Sequence, residues 1–296
     1  MIRYTIHNNI NLKKWDRCIQ NSINSNFYAK SWYLNIICEN WDALILNDYE
    51  AVMPIPYKKK LGIKYIYQPF FCQQLGLFSK NINLRVDRFI NSIPKDFFHF
   101  KFNLNTHNTS SYSIRKNTNY VLFLDKNIEV LRANYSKSHL KNIRRAKNNK
   151  LCISLEPDCV EKFCLNKQNL AYGYMTKKQF DLEYSIIKKS LALGKGEIFS
   201  VKGKNGNCCS VFIIKEDNKL YLLSSYSNEY AKLNSAYFYL LDYIFSLERF
   251  KGFIFDFEGS NLKGVAQRNK GFGAIPNYYH TVRQNVLQRC LNYLNI

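Results

Sequence analysis

The sequence predicts an α/β protein built from two tandem domains of one design. Each half reads as two helices, a three-strand meander, a further helix and a strand. The turn pairs Asn47-Asp48 and Asn205-Gly206 lie about 158 residues apart, as do the strands around Phe98 and Asp256. A basic helix separates the halves. An order of elements that repeats at a fixed offset indicates an internal duplication.

The expected domains are 1–126 and 151–296, joined by the basic helix at 127–150. At 296 residues the chain is long enough for two cores of ordinary size. The alternative is that the two halves are unrelated α/β domains.

Turn signals and hydrophobic periodicity divide the first half. The pair Asn47-Asp48 and the basic turn Lys58–Gly62 separate three strands. The expected elements are helices at Leu12–Ile23, Trp32–Cys38 and about Asn83–Ser92, and strands at Asp42–Leu46, Ala51–Tyr57, Ile63–Tyr67 and Phe97–Leu104.

Stronger local signals mark the second half. A capping box pairs Thr176 with Gln179, and Asn205-Gly206 is the favoured dipeptide of a type I′ hairpin. The expected elements are helices at about Cys159–Tyr172 and Thr176–Leu193, a hairpin leading into strands at Cys208–Ile214 and Leu220–Tyr226, one helix with Leu233, Tyr237, Leu240, Ile244 and Leu247 on one face, and a strand at Phe253–Phe257.

Composition excludes a disordered chain, since 46% of the residues are hydrophobic and 16% are aromatic. We expect a soluble, cytoplasmic protein without an integral membrane segment, because no apolar run approaches about 18 residues and the start of the chain lacks a signal-peptide pattern. Nine scattered cysteines without paired spacing are typical of reduced thiols, and we expect no metal site.

The formal net charge of +21 predicts attraction to phosphate groups. Nucleic acid, a nucleotide and an acidic lipid all fit this charge, and the last allows peripheral association with the cell envelope. The abundance of lysine and asparagine is also typical of AT-rich genomes, so part of the excess is compositional.

The segment Ser136–Lys150, SKSHLKNIRRAKNNK, predicts a helix with one apolar stripe and one cationic face. Either the cations bind an anion or they form a solvated face. The residues concerned are Lys137, Lys141, Arg144 and Arg145.

The segment that ends the second half's last strand is the candidate site. Asp256 and Glu258 follow an apolar run, and Gly259 and Gly271-Phe272-Gly273 come after them. Acids at the carboxyl end of a buried strand, followed by glycines that let the backbone approach a ligand, are a common α/β site. The alternative is the solvated start of a loop.

The order of elements resembles the acyltransferase fold called GNAT, and two such units joined by a basic helix resemble the FemABX-type transferases. SKSHLKNIRRAKNNK, DFEGS at Asp256–Ser260 and KGFGA at Lys270–Ala274 carry this resemblance. It implies transfer of an acyl or aminoacyl group to an amine. FemABX members take aminoacyl-tRNA as donor and a peptidoglycan precursor as acceptor, whereas ordinary GNAT enzymes take acyl-CoA. Either donor is a polyanionic co-substrate, and no permanently bound cofactor is expected.

The sequence departs from both patterns. Where GNAT enzymes carry a glycine-rich pyrophosphate loop, Ser227–Tyr239 has no glycine, and Asn234 or Ser235 is left to cap the helix start. Gln73 and Gln74 stand near the corresponding place of the first half, either hydrogen-bonding a polar substrate or satisfied by backbone. FemABX members tend to have a phenylalanine-lysine pair just before the final glycine-aromatic-glycine. This chain has Arg268-Asn269-Lys270 there, so either Lys270 or Arg268 supplies the positive charge.

Aminolysis needs a group that takes the proton of the amine and a group that stabilises the developing oxyanion. Asp256 is the candidate base, with Glu258 on the same strand face raising its pKa further. Lys270 is the candidate for stabilising negative charge. A surface or structural role is expected for His139. The candidates for orienting substrate are the tyrosines near the site, namely Tyr226, Tyr237, Tyr278 and Tyr279.

We therefore predict a FemABX-like transferase acting on the amine of a cell-wall or envelope precursor. One alternative is a GNAT-type enzyme that transfers from acyl-CoA or acyl-carrier protein to a sugar amine or small metabolite. The other is a non-enzymatic module that binds nucleic acid or phospholipid.

Overall fold

The computed structural model describes residues 1–170 and 175–284. The chain forms two compact units. Unit 1 combines Met1–Thr118 with the segment from Tyr278 onward, and unit 2 is Asn119–Asn277. The domain bounds expected from the sequence, 1–126, 127–150 and 151–296, stay a prediction.

The strands are β1 (Ile2–Thr5), β2 (Asn40–Leu46), β3 (Ala51–Lys60), β4 (Ile63–Ile66), β5 (Phe78–Ser79), β6 (Phe97–Asn103), β7 (Ser113–Phe123), β8 (Cys152–Ile153), β9 (Gly196–Gly203), β10 (Gly206–Glu216), β11 (Lys219–Ser227), β12 (Ile254–Asp256) and β13 (Ile275–Gln284). The helices are α1 (Leu12–Gln20), α2 (Ser31–Ile37), α3 (Val86–Ile90), α4 (Ile128–Ala133), α5 (Lys137–Asn148), α6 (Val160–Asn169), α7 (Lys177–Ala192), α8 (Glu229–Leu233), α9 (Ala236–Phe245) and α10 (Lys263–Lys270). The expected end of one helix at Tyr172 lies outside the described residues.

Unit 1 is built on strands in the order β1-β2-β3-β4-β6-β13. The meander β2-β3-β4 is antiparallel, β4 and β6 are parallel, and β6 pairs antiparallel with β13. Leu44, Met53, Phe89 and Phe100 are among the side chains that fill its core.

Unit 2 repeats this order as β9-β10-β11-β12-β7, with β8 at its edge. The meander β9-β10-β11 is antiparallel, β11 and β12 are parallel, and β12 pairs antiparallel with β7. In each unit, the strand that runs parallel to the last strand of the meander is β6 or β12. On its other side, this strand is paired with a strand from the other half of the sequence. The mixed α/β class and the repeated order of strands predicted from the sequence are confirmed.

The basic helix α5 belongs to unit 2. Ile143 and Ala146 are buried in the core of that unit, where α5 packs on α9. The apolar stripe predicted for this helix is thus the face that packs.

Two predicted elements are shorter than expected. The helix expected to carry Leu233 through Leu247 is interrupted at Ser235, whose φ of 59° is left-handed, so that α8 and α9 are separate and Leu233 is 73% exposed. The strand expected at Phe253–Phe257 ends at Asp256. Among the described residues, no helix combines the length and hydropathy that crossing a bilayer requires.

Candidate functional site

Asp256 lies where two parallel strands separate. The parallel pairing between β11 and β12 covers three residue pairs in the described chain, and Tyr221 with Asp256 is the last of them. Strand β11 continues to Ser227, whereas β12 ends. Open α/β sheets commonly bind ligands beyond the carboxyl ends of their parallel strands, so this position makes Asp256 a candidate site residue.

The Asp256 side chain is 8% exposed. Its Oδ1 accepts hydrogen bonds from Asn119 Nδ2 at 2.7 Å and from the backbone N–H of Glu258 at 2.9 Å. Burial raises the pKa of Asp256, and these two hydrogen bonds and the charge of Lys219 oppose the rise. A carboxylate whose pKa is raised by burial is a stronger proton acceptor than an exposed one.

Glu258 follows in a strained loop. Its φ and that of Gly259 are both 53°, in the left-handed region that side chains other than glycine rarely adopt. Burial raises the pKa of Glu258 to about 8.

The prediction that Glu258 shares a strand face with Asp256 and raises its pKa is wrong. The strand ends at Asp256, the chain turns, and burial rather than a neighbouring negative charge raises the pKa of each carboxyl group.

Helix α10 places its two candidate cations differently. Lys270, the last residue of the helix, is exposed. Arg268 is half-buried with its guanidinium carbon 4.6 Å from the ring centre of Tyr237. In the described part of the chain, neither Arg268 Nε nor the hydroxyl of Tyr237 has a hydrogen-bond partner, although both atoms are buried. Arg268 and Tyr237 thus form an incompletely satisfied polar group inside unit 2.

The glycines that follow Asp256 were expected to let the backbone approach a ligand, but Gly271 has a different role. A Cβ on Gly271 would lie 2.0 Å from Cε1 of His139, so this glycine makes room for an imidazole. His139 is buried, its Nε2 lies 2.8 Å from the backbone oxygen of Arg268, and its ring packs edge-on against Phe272. Of the surface and structural roles expected for His139, this buried position agrees with the structural one. Gly259, in contrast, faces open space in the described structure.

The start of α9 is held by protein groups. Ser235 is buried and its Oγ donates to Asn142 Oδ1 at 3.2 Å rather than to the helix. Asn234 donates to the backbone oxygen of Tyr230 and accepts from Asn149. The capping expected of Asn234 or Ser235 is thus replaced by contacts to neighbouring elements.

Comparisons with known proteins give a fold rather than a sequence family. No family model matches the chain, and no curated protein matches its sequence. The crystal structure of FemX superposes with a TM-score of 0.69 at 11% identity, covering 99% of both chains. The chain has a FemX-like, tandem GNAT-type fold.

Two further structures share this FemX-like fold. A tandem GNAT protein from the clavulanic acid biosynthesis pathway gives a TM-score of 0.56 at 8% identity, over 97% of this chain and 99% of that one. The structure of L-PGS from Bacillus licheniformis gives 0.54 at 9% identity, over 93% and 91%.

Within the FemX-like fold, Tyr226 faces α6 rather than the divergence point. Its hydroxyl contacts Asp158 Oδ2, Asn166 Nδ2 at 2.9 Å and Ser210 Oγ at 3.1 Å. A substrate that binds Tyr226 has to displace one of these partners. The same face of β11 carries Ser224, which lies in a buried cluster with Lys167 and Glu183 that sequence reasoning missed.

The remaining predicted substrate-binding residues lie in unit 1. Gln73 and Gln74 are buried, and the side-chain amide of Gln74 donates a hydrogen bond to Gln73 Oε1. The side-chain oxygen of Gln74 also accepts a hydrogen bond from the backbone N–H of Thr106 at 3.2 Å. The Nε2 of Gln73 has no partner in the described ranges. Tyr278 is 42% exposed, with Lys116 Nζ 3.8 Å from its ring centre. Their role as substrate ligands stays a prediction.

The cationic face predicted for α5 exists. Lys137, Lys141, Arg144 and Arg145 are all exposed, and within the described ranges none of them forms an ion pair. Lys147 extends this face and the helix carries no acid. A helix that presents uncompensated cations to solvent is suited to hold a phosphate backbone.

Sequence reasoning missed Asn119, the direct partner of Asp256. It lies on β7, 137 positions before Asp256, and is fully buried. No local motif marks it. The only available signal is the polar asparagine within the apolar end of β7, next to Tyr120 and Val121.

Proposed function

We propose that the protein transfers an acyl or aminoacyl group to an amine, with Asp256 as general base. The observation that carries this proposal is the buried carboxylate at the point where β11 and β12 separate, with its pKa raised by burial. The FemX-like fold supports the same class of reaction.

In the proposed step, the amine nitrogen attacks the carbonyl carbon of an ester or thioester and Asp256 takes the proton that the nitrogen loses. The carbon–oxygen or carbon–sulfur bond then breaks. The leaving oxygen or sulfur takes up the proton that Asp256 accepted, so the products are the amide and a hydroxyl or thiol, Asp256 is regenerated, and no covalent enzyme intermediate is required.

Arg268 and Tyr237 are the proposed contacts for negative charge on the donor or in the transition state. Both present buried polar atoms without a partner in the described structure, and a guanidinium placed over an aromatic ring is already oriented. This assigns to Arg268 the role that the sequence suggested for Lys270, which is exposed. The exposed Lys270 is proposed to contribute only long-range attraction.

Aminoacyl-tRNA is the proposed donor. The start of α9 lacks the glycines of a pyrophosphate loop, and Ser235 and Asn234 are engaged by neighbouring protein groups. The exposed cations of α5 supply a surface for a nucleic acid backbone. The proposed acceptor is an amine of a cell-wall or envelope precursor, reached by a cytoplasmic protein that associates peripherally with the envelope.

The second candidate is transfer from acyl-CoA or acyl-carrier protein to a sugar amine or small metabolite. The likeness of the whole chain to a tandem GNAT protein favours it. Thermal-shift measurements with acetyl-CoA and with aminoacyl-tRNA separate the two, because a ligand that binds the native state raises Tm. We expect stabilisation by the tRNA and none by acetyl-CoA, and the reverse would establish the second candidate.

Charge variants test whether α5 holds the nucleic acid. Replacing Lys137, Lys141, Arg144 and Arg145 by glutamine should weaken aminoacyl-tRNA binding and flatten its salt dependence. The control replaces the same number of exposed cations on α7, namely Lys177, Lys178, Lys188 and Lys189. Equal losses in both variants would show that only net charge matters. Salt-sensitive binding without amide formation from either donor would instead indicate a binding module.

A further inference from the structure

Unit 1 contains a cavity of about 520 Å³ where β2 begins and β3 ends. Cavities that bind small molecules in proteins usually measure about 300–1,000 Å³. Residues from the segment after β1, from the end of α2 and from β4 complete its walls. Every residue that lines it belongs to unit 1, so Asp256 and Arg268 of the proposed transfer site are not part of it.

The charges in this cavity are balanced. Glu39 and Asp42 supply two carboxylates, and Lys59 and Lys64 supply two ammonium groups. Lys64 forms an ion pair with Asp96, with 2.8 Å between its Nζ and Asp96 Oδ2. Lys59 is exposed at the end of β3. A cavity of this kind is complementary to a ligand that carries both signs of charge.

Asp42 is the buried charge of the cavity, with 3% of its surface exposed. It accepts hydrogen bonds from the hydroxyl of Tyr4 and from the backbone N–H of His7, and the hydroxyl of Tyr57 also hydrogen-bonds to it. No lysine or arginine of the described ranges forms an ion pair with it. Lys64 acts on Asp42 electrostatically from beyond ion-pair distance, so the carboxylate can still take a cationic ligand at closer range, which stabilises a buried charge.

Two aromatic rings and an imidazole surround the carboxylate. The ring of His7 packs edge-on against Trp41 with 4.7 Å between ring centres, and Tyr57 lines the cavity beside them. His7 Nδ1 is buried and has no hydrogen-bond partner in the described part of the chain. An imidazole nitrogen in this position is available to a ligand, and aromatic faces next to a carboxylate favour an ammonium group.

We propose that this cavity binds a small zwitterion of the amino-acid class. Its ammonium group contacts Asp42 and His7 Nδ1 beside Trp41, and its carboxylate is held by Lys59 at the open end. The site is a binding site and takes no part in the transfer reaction. The proposal therefore does not depend on the function assigned to unit 2.

Calorimetric titration of the full chain tests this site. The probes are L-alanine, L-lysine, L-glutamate and L-phenylalanine, followed by the N-acetyl derivative and the decarboxylated amine of the tightest binder. We expect saturable binding of at least one amino acid, and loss of binding for both derivatives, because each derivative lacks one of the two charges. Absence of binding by all four amino acids overturns the proposal.

Two variants locate the binding. His7→Phe keeps the packing on Trp41 and removes the free nitrogen, and Lys59→Gln removes the cation. Each should weaken amino-acid binding about tenfold or more. Lys60→Gln is the matched control, since Lys60 is an exposed neighbour that does not line the cavity. Equal affinities for Lys59→Gln and Lys60→Gln, or an unchanged affinity for His7→Phe, would exclude this cavity as the site.

Discussion

Asp256 owes its properties to residues that are distant in sequence. Burial inside unit 2 raises the pKa of Asp256, while the hydrogen bond from the Asn119 amide and the charge of Lys219 oppose this rise. The sequence shows the carboxylate at the end of an apolar run, but it does not show Asn119 across the antiparallel pair. A site residue can therefore be predicted from local pattern, whereas its pKa depends on long-range pairing.

Asn119→Ala should move the pH dependence of transfer. The Asn119 amide favours the ionised form of Asp256, so its loss raises the pKa of the base further and shifts the ascending limb of kcat/KM to higher pH. The control is Asn117→Ala, because Asn117 lies on the same strand and donates to Thr281 instead. A limb that stays in place in the Asn119→Ala variant would show that Asp256 is not the titrating base.

Glu258→Gln should change the pH dependence of stability. The ordinary pKa of this carboxyl group is 4.5, and burial raises it to about 8 in the folded protein. Between these values the folded protein retains a proton that the unfolded chain has released, so the stability contributed by neutral Glu258 is complete below pH 4.5 and is lost as the pH rises toward 8.

Glutamine stays neutral throughout this range. The variant should therefore melt a few degrees higher than the native protein near pH 8 and at nearly the same temperature near pH 4.5. Thermal melts at the two pH values measure this. A difference in Tm that is equal at both would contradict the raised pKa.

At the scale of elements, the contact between α5 and the turn after α10 fixes the site loop. His139 of α5 packs on Phe272, and the room for its ring exists only because residue 271 is glycine. The sequence marked both segments as family motifs, but it suggested a ligand rather than an imidazole as the group that the glycine accommodates. Which group fills a space is decided by packing between elements.

Gly271→Ala should destabilise the protein by about 1–3 kcal/mol, because the new methyl group would overlap the His139 ring. Gly264→Ala is the matched control on α10, where the added Cβ meets no atom of the described structure within 4 Å. Alanine should stabilise that position by up to about 1 kcal/mol through helix propensity. Urea unfolding compares the two, and equal effects would contradict the close packing.

Elements with strong local signals were predicted well. The capping box of Thr176 and Gln179 opens α7, and the predicted hairpin forms between β9 and β10. Its turn is not the predicted type I′ turn on Asn205-Gly206, because Gly206 is paired with Gly203 and has a positive φ, 100°, whereas Asn205 does not. Strands β7 and β13 were not predicted, and no local pattern indicates their pairing with β12 and β6, which lie far away in the sequence. The break at Ser235 was missed because a left-handed serine has no sequence signature.

At the scale of the whole molecule, the duplication is completed by exchanged strands. Strand β12 of unit 2 pairs with β7 from the first half, and β6 of unit 1 pairs with β13 from the second. The repeated order was visible in the sequence, yet this exchange was not, because strand pairing leaves no trace in spacing alone. Neither half of the sequence therefore contains a complete sheet of its own.

Fragments should reflect this exchange. Residues 119–277 contain β12 with its β7 partner segment and α5, and we expect this fragment to melt cooperatively. Residues 151–277 lack both and should show no cooperative transition, since β12 loses its antiparallel partner and the core loses Ile143 and Ala146. Thermal unfolding followed by circular dichroism compares the two fragments. Cooperative unfolding of the 151–277 fragment would contradict the role of the exchanged strand.

The central claim is that Asp256 removes the proton of the attacking amine, and the rate of amide formation as a function of pH tests it most directly. The native protein should show a rate that rises with pH through the raised pKa of Asp256, and Asp256→Asn should lose about a hundredfold or more of kcat together with this rise. Asp181→Asn, at an exposed position of α7, is the control and should match the native protein. An Asp256→Asn variant that retains the native rate and pH profile would contradict the claim.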